Sequence, residues 1–212
     1  MYLLLEEMLD RAGVDELHHD LIVGYLSVLW IRDPETFNHS LRVADLSARI
    51  AAECGINTES DLKNLFHASL LHDVGKLLVN PSLLGKTAEW TAEDAKEMDD
   101  HPEYGWLLLF GLDDYAASIV VRHHYFGERP YPHARSLPPL PDNLVSHGRT
   151  IQALARVIAL ADTYDALTTR ECNQRFGRSD PMGQRERYLQ LNPNREVCIL
   201  DLEKKGVLTF TS

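Results

Sequence analysis

The amino-acid sequence predicts an all-α fold, a bundle of helices. Apolar residues recur with the three- and four-residue spacing of a helix along most of the chain. Several of these segments begin at a capping residue or a proline and end at a glycine. Alternation of apolar and polar residues, the pattern typical of strands, is scarce. The length of 212 residues fits one domain with a substantial core.

The first third of the chain is predicted to form helices in three segments. Residues 1–31 have helical spacing, with Gly13 and Gly24 as weak points. A proline then favours the start of a helix from about Pro34 to Cys54, which a glycine ends. Residues 61–71 form a further predicted helix, which runs into the sequence LLHDVGK.

The rest of the chain is predicted to be helical, with one long loop. Thr91 and Asp94 have the spacing of a capping box and open a helix that carries His101 and either passes Pro102 or restarts there. The segments DDYAASIVVRHH and TIQALARVIALADTYDAL are two further helices by their periodicity. Residues 126–148 are rich in proline and predict a structured loop. The final LDLEKKGVLTF fits a short helix or a hairpin, and we favour the helix.

The composition excludes several kinds of partner. The chain carries 21 Lys and Arg against 32 Asp and Glu, a net charge of −11, which disfavours binding to long nucleic acid or to an anionic membrane. Its longest apolar run, residues 21–31, is too short to cross a membrane. An acidic start argues against a signal peptide, and three cysteines without a CxxC pair fit a reducing compartment. We therefore expect a soluble, cytoplasmic protein with a small-molecule partner.

Histidines and acidic residues occur at distinctive spacings. Glu35 and His39 are four residues apart on one predicted helix and therefore share a face. His72 and Asp73 are adjacent, and neighbours on a helix point about 100° apart. Both can thus serve one centre only near a helix end or around a bridged pair of metal ions. The two histidines at 123–124 have the same geometry.

These side chains form the ligand set expected for Fe, Mn or Zn in a hydrolytic centre, imidazole and carboxylate without thiolate. His101 and Asp162 lie on predicted helices of their own. A carboxylate such as Asp73 can bridge two ions, and the water that they share becomes hydroxide near neutral pH. Lys76, one turn beyond His72, can hold a phosphate oxygen as a point charge. The leading chemistry is therefore phosphoester hydrolysis.

Several motifs, in order, resemble the HD-GYP subgroup of the HD-domain metal-dependent phosphohydrolases. RDPETFNHSLRV (32–43) resembles its opening helix, LLHDVGK (70–76) resembles the His-Asp motif, and NPSLLGK resembles the segment after it. His101 matches a histidine before a glycine, and VVRHH matches the paired histidines. ARVIALADTYDALTTR (155–170) resembles the last motif with its metal-binding Asp. The resemblance covers about residues 20–170, and ordered motifs are more specific than any one of them.

The resemblance implies an HD-domain helical bundle around a centre of two or three divalent metal ions, commonly iron or manganese. Its metal ligands would be Glu35, His39, His72, Asp73, His101, His123, His124 and Asp162. Asp73 would bridge two ions, and Glu35 would keep a third site open. Asp73 and Lys76 would be catalytic, and Lys76 and Arg170 would contact the substrate phosphate. The implied activity is hydrolysis of cyclic di-GMP or a related cyclic dinucleotide by a hydroxide that bridges the metal ions.

The resemblance also sets the expected domain organisation. The HD-GYP-like phosphohydrolase domain would span residues 32–212. Residues 1–31 would form an N-terminal helical segment that packs with it as one compact unit. The apolar character of that segment also allows a dimerisation helix in a homodimer.

One segment departs from the subgroup's pattern. Where the subgroup reads HHERWDGSGYP or similar, this chain reads HHYFGERPYP, with Pro130 in place of a glycine. Proline fixes φ at about −65° and lacks an N–H, so the loop on the substrate side must differ. Two alternatives therefore stay open. One is a phosphohydrolase for another nucleotide or a phosphomonoester, and the other is a module that binds a cyclic dinucleotide or a protein without turnover.

Other polar residues receive structural interpretations. Asp165 is predicted to support the centre rather than to bind metal, and Arg42 is predicted to pair with a nearby acid. His18 and His67 are interpreted as core or surface residues. His67 lies five residues before His72 and is expected to face away from it.

Overall fold

Eleven α-helices make up most of the described part of the chain. The computed structural model describes residues 2–86, 89–127, 130–132, 137–169 and 183–210. The helices are α1 Tyr2–Arg11, α2 Glu16–Arg32, α3 Pro34–Glu53, α4 Glu59–Leu71, α5 Pro81–Leu84, α6 Ala92–Asp99, α7 His101–Leu109, α8 Asp114–Val120, α9 Gly148–Thr169, α10 Gln184–Leu191 and α11 Glu196–Lys204. Two short 3-10 helices are Val74–Leu78 and Asp142–His147. No strand occurs in these ranges, and the all-α prediction is confirmed.

The first helix boundaries follow local features of the sequence. Gly13, with φ of 62°, separates α1 from α2, whereas Gly24 lies inside α2 without interrupting it. Asp33 caps α3, and its carboxylate accepts the N–H of Thr36 at 3.3 Å. Gly55, with φ of 74°, follows the end of α3 in the left-handed conformation that glycine adopts most readily.

The later boundaries follow the sequence less closely. The capping box of Thr91 and Asp94 opens α6, but a new helix, α7, begins at His101. The predicted helix over DDYAASIVVRHH ends early, at Val120. The C-terminal helix is confirmed as α11, with Gly206 after its end. α10 was not predicted, because its sequence is mainly polar and lacks a clear apolar face.

The core lies where α3 packs against α4 and α9, with α2 across α3 and α4. Fully buried side chains there include Val43, Ile50, Leu65, Leu70, Ile151, Leu154 and Ile158. The first two helices add Leu5, Leu9, Ile22, Leu26 and Leu29 to the same hydrophobic cluster. Burial of such side chains from water is the main favourable contribution to folding. None of the helices in the described ranges combines the length and the apolarity that crossing a membrane requires.

Two glycines allow the segment after α4 to lie directly against α7. A Cβ atom on Gly75 would lie 1.9 Å from the carbonyl oxygen of His101 and 2.4 Å from the nitrogen of Gly105. A Cβ atom on Gly105 would lie 2.7 Å from the Val120 side chain. Larger residues at either position would push these elements apart. This close approach brings the turn at residues 72–73 next to the start of α7.

Candidate metal centre

Two adjacent pairs of candidate ligands lie just after the ends of helices, as their spacing requires. α4 ends at Leu71, so His72 and Asp73 occupy the turn that leads into the 3-10 helix. α8 ends at Val120, and residues 123–124 lie in the turns that follow it. Outside a regular helix, consecutive side chains no longer need to point about 100° apart. Both members of each pair can therefore face one centre.

The first ligand group consists of His39, His72 and Asp162, from α3, the turn after α4, and α9. Nε2 of His39 lies 3.0 Å from Oδ1 of Asp162 and 3.3 Å from Nε2 of His72. Nε2 of His72 lies 4.0 Å from Oδ1 of Asp162. All three side chains are buried, and their ligand atoms are close enough to share one metal ion.

The second ligand group consists of His101, His123 and His124. Nε2 of His101 lies 3.4 Å from Nε2 of His123, and the ring centroids of His123 and His124 are 4.0 Å apart. One ring nitrogen from each histidine lies within 4.8 Å of the others. The ring of His124 also stacks on Tyr131, with centroids 4.5 Å apart. This contact fixes the outermost imidazole of the group against the loop.

Asp73 lies between the two groups, with one carboxylate oxygen toward each. Its Oδ2 lies 3.6 Å from Nε2 of His39 and 3.4 Å from Nε2 of His72. Its Oδ1 lies 3.2 Å from Nε2 of His101. Lys76 donates a hydrogen bond of 2.6 Å to Oδ2. A carboxylate placed in this way is able to bridge two cations.

Three of the imidazoles are tied to the backbone through their other ring nitrogen. In each, Nδ1 donates a hydrogen bond to the backbone carbonyl oxygen of the residue three positions earlier. A carbonyl oxygen only accepts, so Nδ1 carries the proton and Nε2 of the neutral ring has a lone pair for a metal ion. The bonds are 2.8 Å from His72 to Ser69, 2.7 Å from His101 to Met98 and 2.6 Å from His123 to Val120.

His39 is tied to a carboxylate instead. Its Nδ1 donates to Oδ2 of Asp165 at 2.7 Å. Arg42 fixes Asp165 in turn, because Nε and one terminal nitrogen of its guanidinium donate to the two carboxylate oxygens at 2.7 and 2.9 Å. Burial lowers the pKa of His39, but the hydrogen bonds to Asp162 and Asp165 outweigh this effect and raise it. The predicted supporting role of Asp165 and the predicted acidic partner of Arg42 agree with these contacts.

Burial and neighbouring charges set the protonation of the centre. Burial raises the pKa of Asp73, but the charge of Lys76, followed by the contacts with the imidazoles of His72 and His101, outweighs this effect and holds the pKa well below the usual range. Burial, together with the charges of His72 and His101, lowers the pKa of His123 to about 3. Asp73 is therefore ionised and His123 neutral at neutral pH, which are the forms that bind metal ions.

The facing donor atoms fit cations between them. His101 and His123, in their neutral forms, direct Nε2 lone pairs at each other across 3.4 Å, and neither can donate. A divalent ion there would replace this repulsion with ligand bonds. Nitrogen and oxygen donors without sulfur suit Fe, Mn or Zn. The residues present therefore fit a divalent metal centre.

Besides Asp73, two of the described site residues, Glu35 and Lys76, lie outside the two ligand groups. The side chain of Glu35 is 59% exposed, and its Oε1 accepts a hydrogen bond of 3.2 Å from Arg42. Glu35 is predicted to bind a metal ion, but here its carboxylate is paired with the guanidinium of Arg42. Lys76 is buried against Asp73, where its ammonium group balances the carboxylate charge. Arg170 lies outside the described residues.

Sequence reasoning missed the backbone contribution to this centre. The carbonyl oxygens that hold the imidazoles leave no signal in a sequence, because every residue has a carbonyl group. It also missed Gly75, which lets the two halves of the centre approach each other. The available signal was a glycine between Asp73 and Lys76.

The sequence of this chain is similar to those of known proteins. The HD domain family matches residues 36–167 of this chain. The cyclic di-GMP phosphodiesterase response regulator RpfG of Xanthomonas campestris is 29% identical over 160 residues, which are 73% of this chain and 39% of that protein. A cyclic di-GMP phosphodiesterase of Thermotoga maritima is 31% identical over 144 residues, 66% of this chain and 36% of that protein.

Relatives named for a second cyclic dinucleotide are similar as well. The 3'3'-cGAMP-specific phosphodiesterase 2 of Vibrio cholerae is 31% identical over 157 residues, 72% of this chain and 28% of that protein. The chain therefore spans less than two fifths of the length of each of these three relatives.

Proposed function

Since this chain belongs to the HD-domain family, we propose that it is a metal-dependent phosphodiesterase that hydrolyses a cyclic dinucleotide. The observation that carries the proposal is the position of Asp73, with one oxygen toward each of two histidine-containing ligand groups. Two neighbouring cations suit attack on phosphorus, because they stabilise the attacking and the leaving oxygen of an in-line displacement. The names of the relatives support a cyclic dinucleotide as the substrate.

We propose that iron or manganese occupies the centre, because imidazole and carboxylate donors suit both. His39, His72 and Asp162 would hold one ion, and the second group, His101, His123 and His124, would hold the other. When bound, such ions lower the pKa of a water that they share and neutralise phosphate charge. The protein's own residues supply the orientation through the tethers on Nδ1.

Asp73 and Lys76 have separate proposed roles. Asp73 is ionised and holds both halves of the centre at a fixed separation. Lys76 keeps a positive charge 2.6 Å from that carboxylate, where it orients Asp73 and can reach a non-bridging phosphate oxygen. Arg170 is a second proposed phosphate contact on the strength of the family resemblance. A third metal ion would require the carboxylate of Glu35 to leave Arg42.

The experiment uses the full chain, purified anaerobically and loaded with Fe²⁺ or Mn²⁺. We expect it to convert cyclic di-GMP or 3'3'-cGAMP to a linear dinucleotide or to mononucleotides. Asp73→Ala should abolish turnover, whereas Asp20→Ala, which changes an aspartate with an 82% exposed side chain on α2, should not. An intact substrate with the metal ions bound, or equal turnover by Asp73→Ala, would contradict the proposal.

Pro130 favours a second candidate, a phosphohydrolase for another nucleotide or a phosphomonoester. It replaces a glycine that the subgroup has on the substrate side of the site, so the loop there must differ. Cleavage of mononucleotides without cleavage of either cyclic dinucleotide would support this second candidate function. Tight binding of a cyclic dinucleotide without any product would instead indicate a non-catalytic binding module.

We also propose a cytoplasmic location and a homodimer formed through the N-terminal segment. Free Cys54 and Cys198 fit a reducing compartment. On α2, Leu17 is 73% exposed and Ile31 is 82% exposed, and a second copy of the chain would cover them. Residues 1–31 would fold as one unit with residues 32–212, consistent with the shared core. Ile31→Glu should shift a dimer toward monomer in light scattering, and an unchanged mass would contradict this proposal.

A further inference from the structure

Away from the candidate metal centre, another group of histidine and carboxylate side chains contains none of the proposed ligands. It consists of His18 on α2, His67 on α4 and Asp113, the residue that caps α8. One ligand atom from each lies within 4.8 Å of the other two. His67 and Asp113 are buried, and the His18 side chain is 28% exposed, so the group has one side open to solvent.

The separations in this group resemble those of ligands around an ion. Oδ2 of Asp113 lies 3.4 Å from Nδ1 of His67 and 3.7 Å from Nε2 of His18. Most N–H···O hydrogen bonds are shorter, about 2.9 Å. Two atoms bound to a tetrahedral Zn²⁺ at about 2.0–2.1 Å lie about 3.3 Å apart. The three side chains therefore need only small shifts to share one ion.

His18 is oriented as a metal ligand would be. Its Nδ1 donates to Oδ1 of Asp15 at 2.6 Å, and Lys63 donates to the other oxygen of Asp15 at 2.7 Å. In the neutral ring, Nε2 then has a lone pair that faces the Asp113 carboxylate. Proteins commonly orient a metal-binding histidine with a carboxylate on its second nitrogen.

The other two side chains also have atoms left for a ligand. Oδ1 of Asp113 accepts the N–H of Ala116 at 2.9 Å, which leaves Oδ2 to face the two histidines. His67 is 2% exposed; its Nδ1 faces this Oδ2 and would be the ligand atom, and its Nε2 has no hydrogen-bond partner in the described part of the chain. Its contact with Asp113 is long for a hydrogen bond, so it contributes little to offset the free-energy cost of burying the imidazole.

We propose that His18, His67 and Asp113 bind a divalent transition-metal ion such as Zn²⁺, with the fourth position open to water. Two imidazoles and one carboxylate form a common zinc ligand set. The ion would join α2, α4 and the start of α8. α4 leads into His72 and Asp73, and α8 leads toward the other paired histidines, so the ion would brace the elements that carry the centre.

Zinc titration of the metal-free full chain, against a competing chromophoric chelator, tests the site. His18→Ala and His67→Ala should each bind one equivalent fewer than the wild type. His19→Ala is the matched control, because this neighbour on α2 also bonds a carboxylate, Glu6 at 2.8 Å, and should bind as the wild type does. Equal zinc content in all four proteins would overturn the proposal.

A second measurement does not depend on the folding of the variants. Crystals of the wild-type chain grown with Zn²⁺ should show an anomalous peak between His18, His67 and Asp113, at the zinc edge. The catalytic centre gives separate peaks, so it does not obscure this one. A map with peaks at the catalytic centre and none between these three side chains would overturn the proposal.

Discussion

Asp165 and His39 are joined by a 2.7 Å hydrogen bond at the ring nitrogen that faces away from the candidate ligands. The carboxylate fixes the ring and raises the basicity of Nε2, which favours metal binding. Asp165→Asn removes this charge and places an amide opposite Arg42. We expect the affinity for Mn²⁺, measured by calorimetry, to fall about 10- to 100-fold. Asp45→Asn, an exposed change on α3, should leave it unaltered, and an unaltered affinity in Asp165→Asn would contradict this role.

Lys76 should contribute to turnover more than to metal binding. Lys76→Met keeps a similar length but removes the donor that lies 2.6 Å from Oδ2 of Asp73. We expect kcat for the cyclic dinucleotide to fall about 100-fold, because a charge at the reacting group is lost. The metal content, measured by mass spectrometry, should stay the same. The exposed Lys204→Met is the control, and an unchanged kcat in Lys76→Met would count against the proposed role.

Gly75 and Gly24 should respond in opposite ways to the same substitution. Gly75→Ala places a methyl group 1.9 Å from the carbonyl oxygen of His101, so the free energy of unfolding should fall by about 1–3 kcal/mol or more. Gly24→Ala meets nothing within 4 Å on α2 and should raise it by about 0.5–1 kcal/mol. Thermal unfolding measures both. Equal melting temperatures for the two variants would contradict the close packing at Gly75.

His123 should make the metal-free protein less stable in acid. Its pKa is lowered from 6.5 to about 3 by burial and the nearby histidine charges. Below pH 6.5 the unfolded chain takes up a proton that the native state does not take up until about pH 3. The free energy of unfolding therefore decreases as the pH is lowered from 6.5 to about 3. Between pH 7 and pH 5 this contribution amounts to about 2 kcal/mol.

Urea unfolding of metal-free His123→Gln at pH 7 and pH 5 isolates that contribution. The variant should lose about 2 kcal/mol less than the wild type over this interval, since the remaining histidines are common to both proteins. His147→Gln, a change at an exposed histidine, should behave as the wild type does. The same pH dependence in all three proteins would show that His123 is not held neutral.

The sequence predicted the parts of this site that depend on local geometry. The adjacent residues His72 and Asp73 could serve one centre only at a helix end or around bridged ions, and α4 does end one residue before them. The helix that begins at His101 and the glycine after α3 also follow from local rules. Such rules act over one or two turns of chain, and a single sequence contains them in full.

Contacts between distant segments could not be predicted in this way. Spacing placed Glu35 on the same face as His39, but it could not show that Arg42 would attract the Glu35 carboxylate. The approach of Gly75 to the backbone of α7 depends on how helices pack, and periodicity does not encode it. The role of Pro130 on the substrate side remains a prediction for the same reason.

Anomalous diffraction from crystals grown with Mn²⁺ tests most directly whether Asp73 joins a two-metal centre. We predict two peaks, one on each side of its carboxylate. One should lie beside His39, His72 and Asp162, and the other beside the three histidines of the second ligand group. Asp73→Ala crystals should lose at least one of them. A single peak, or two peaks that do not contact Asp73, would contradict the central claim.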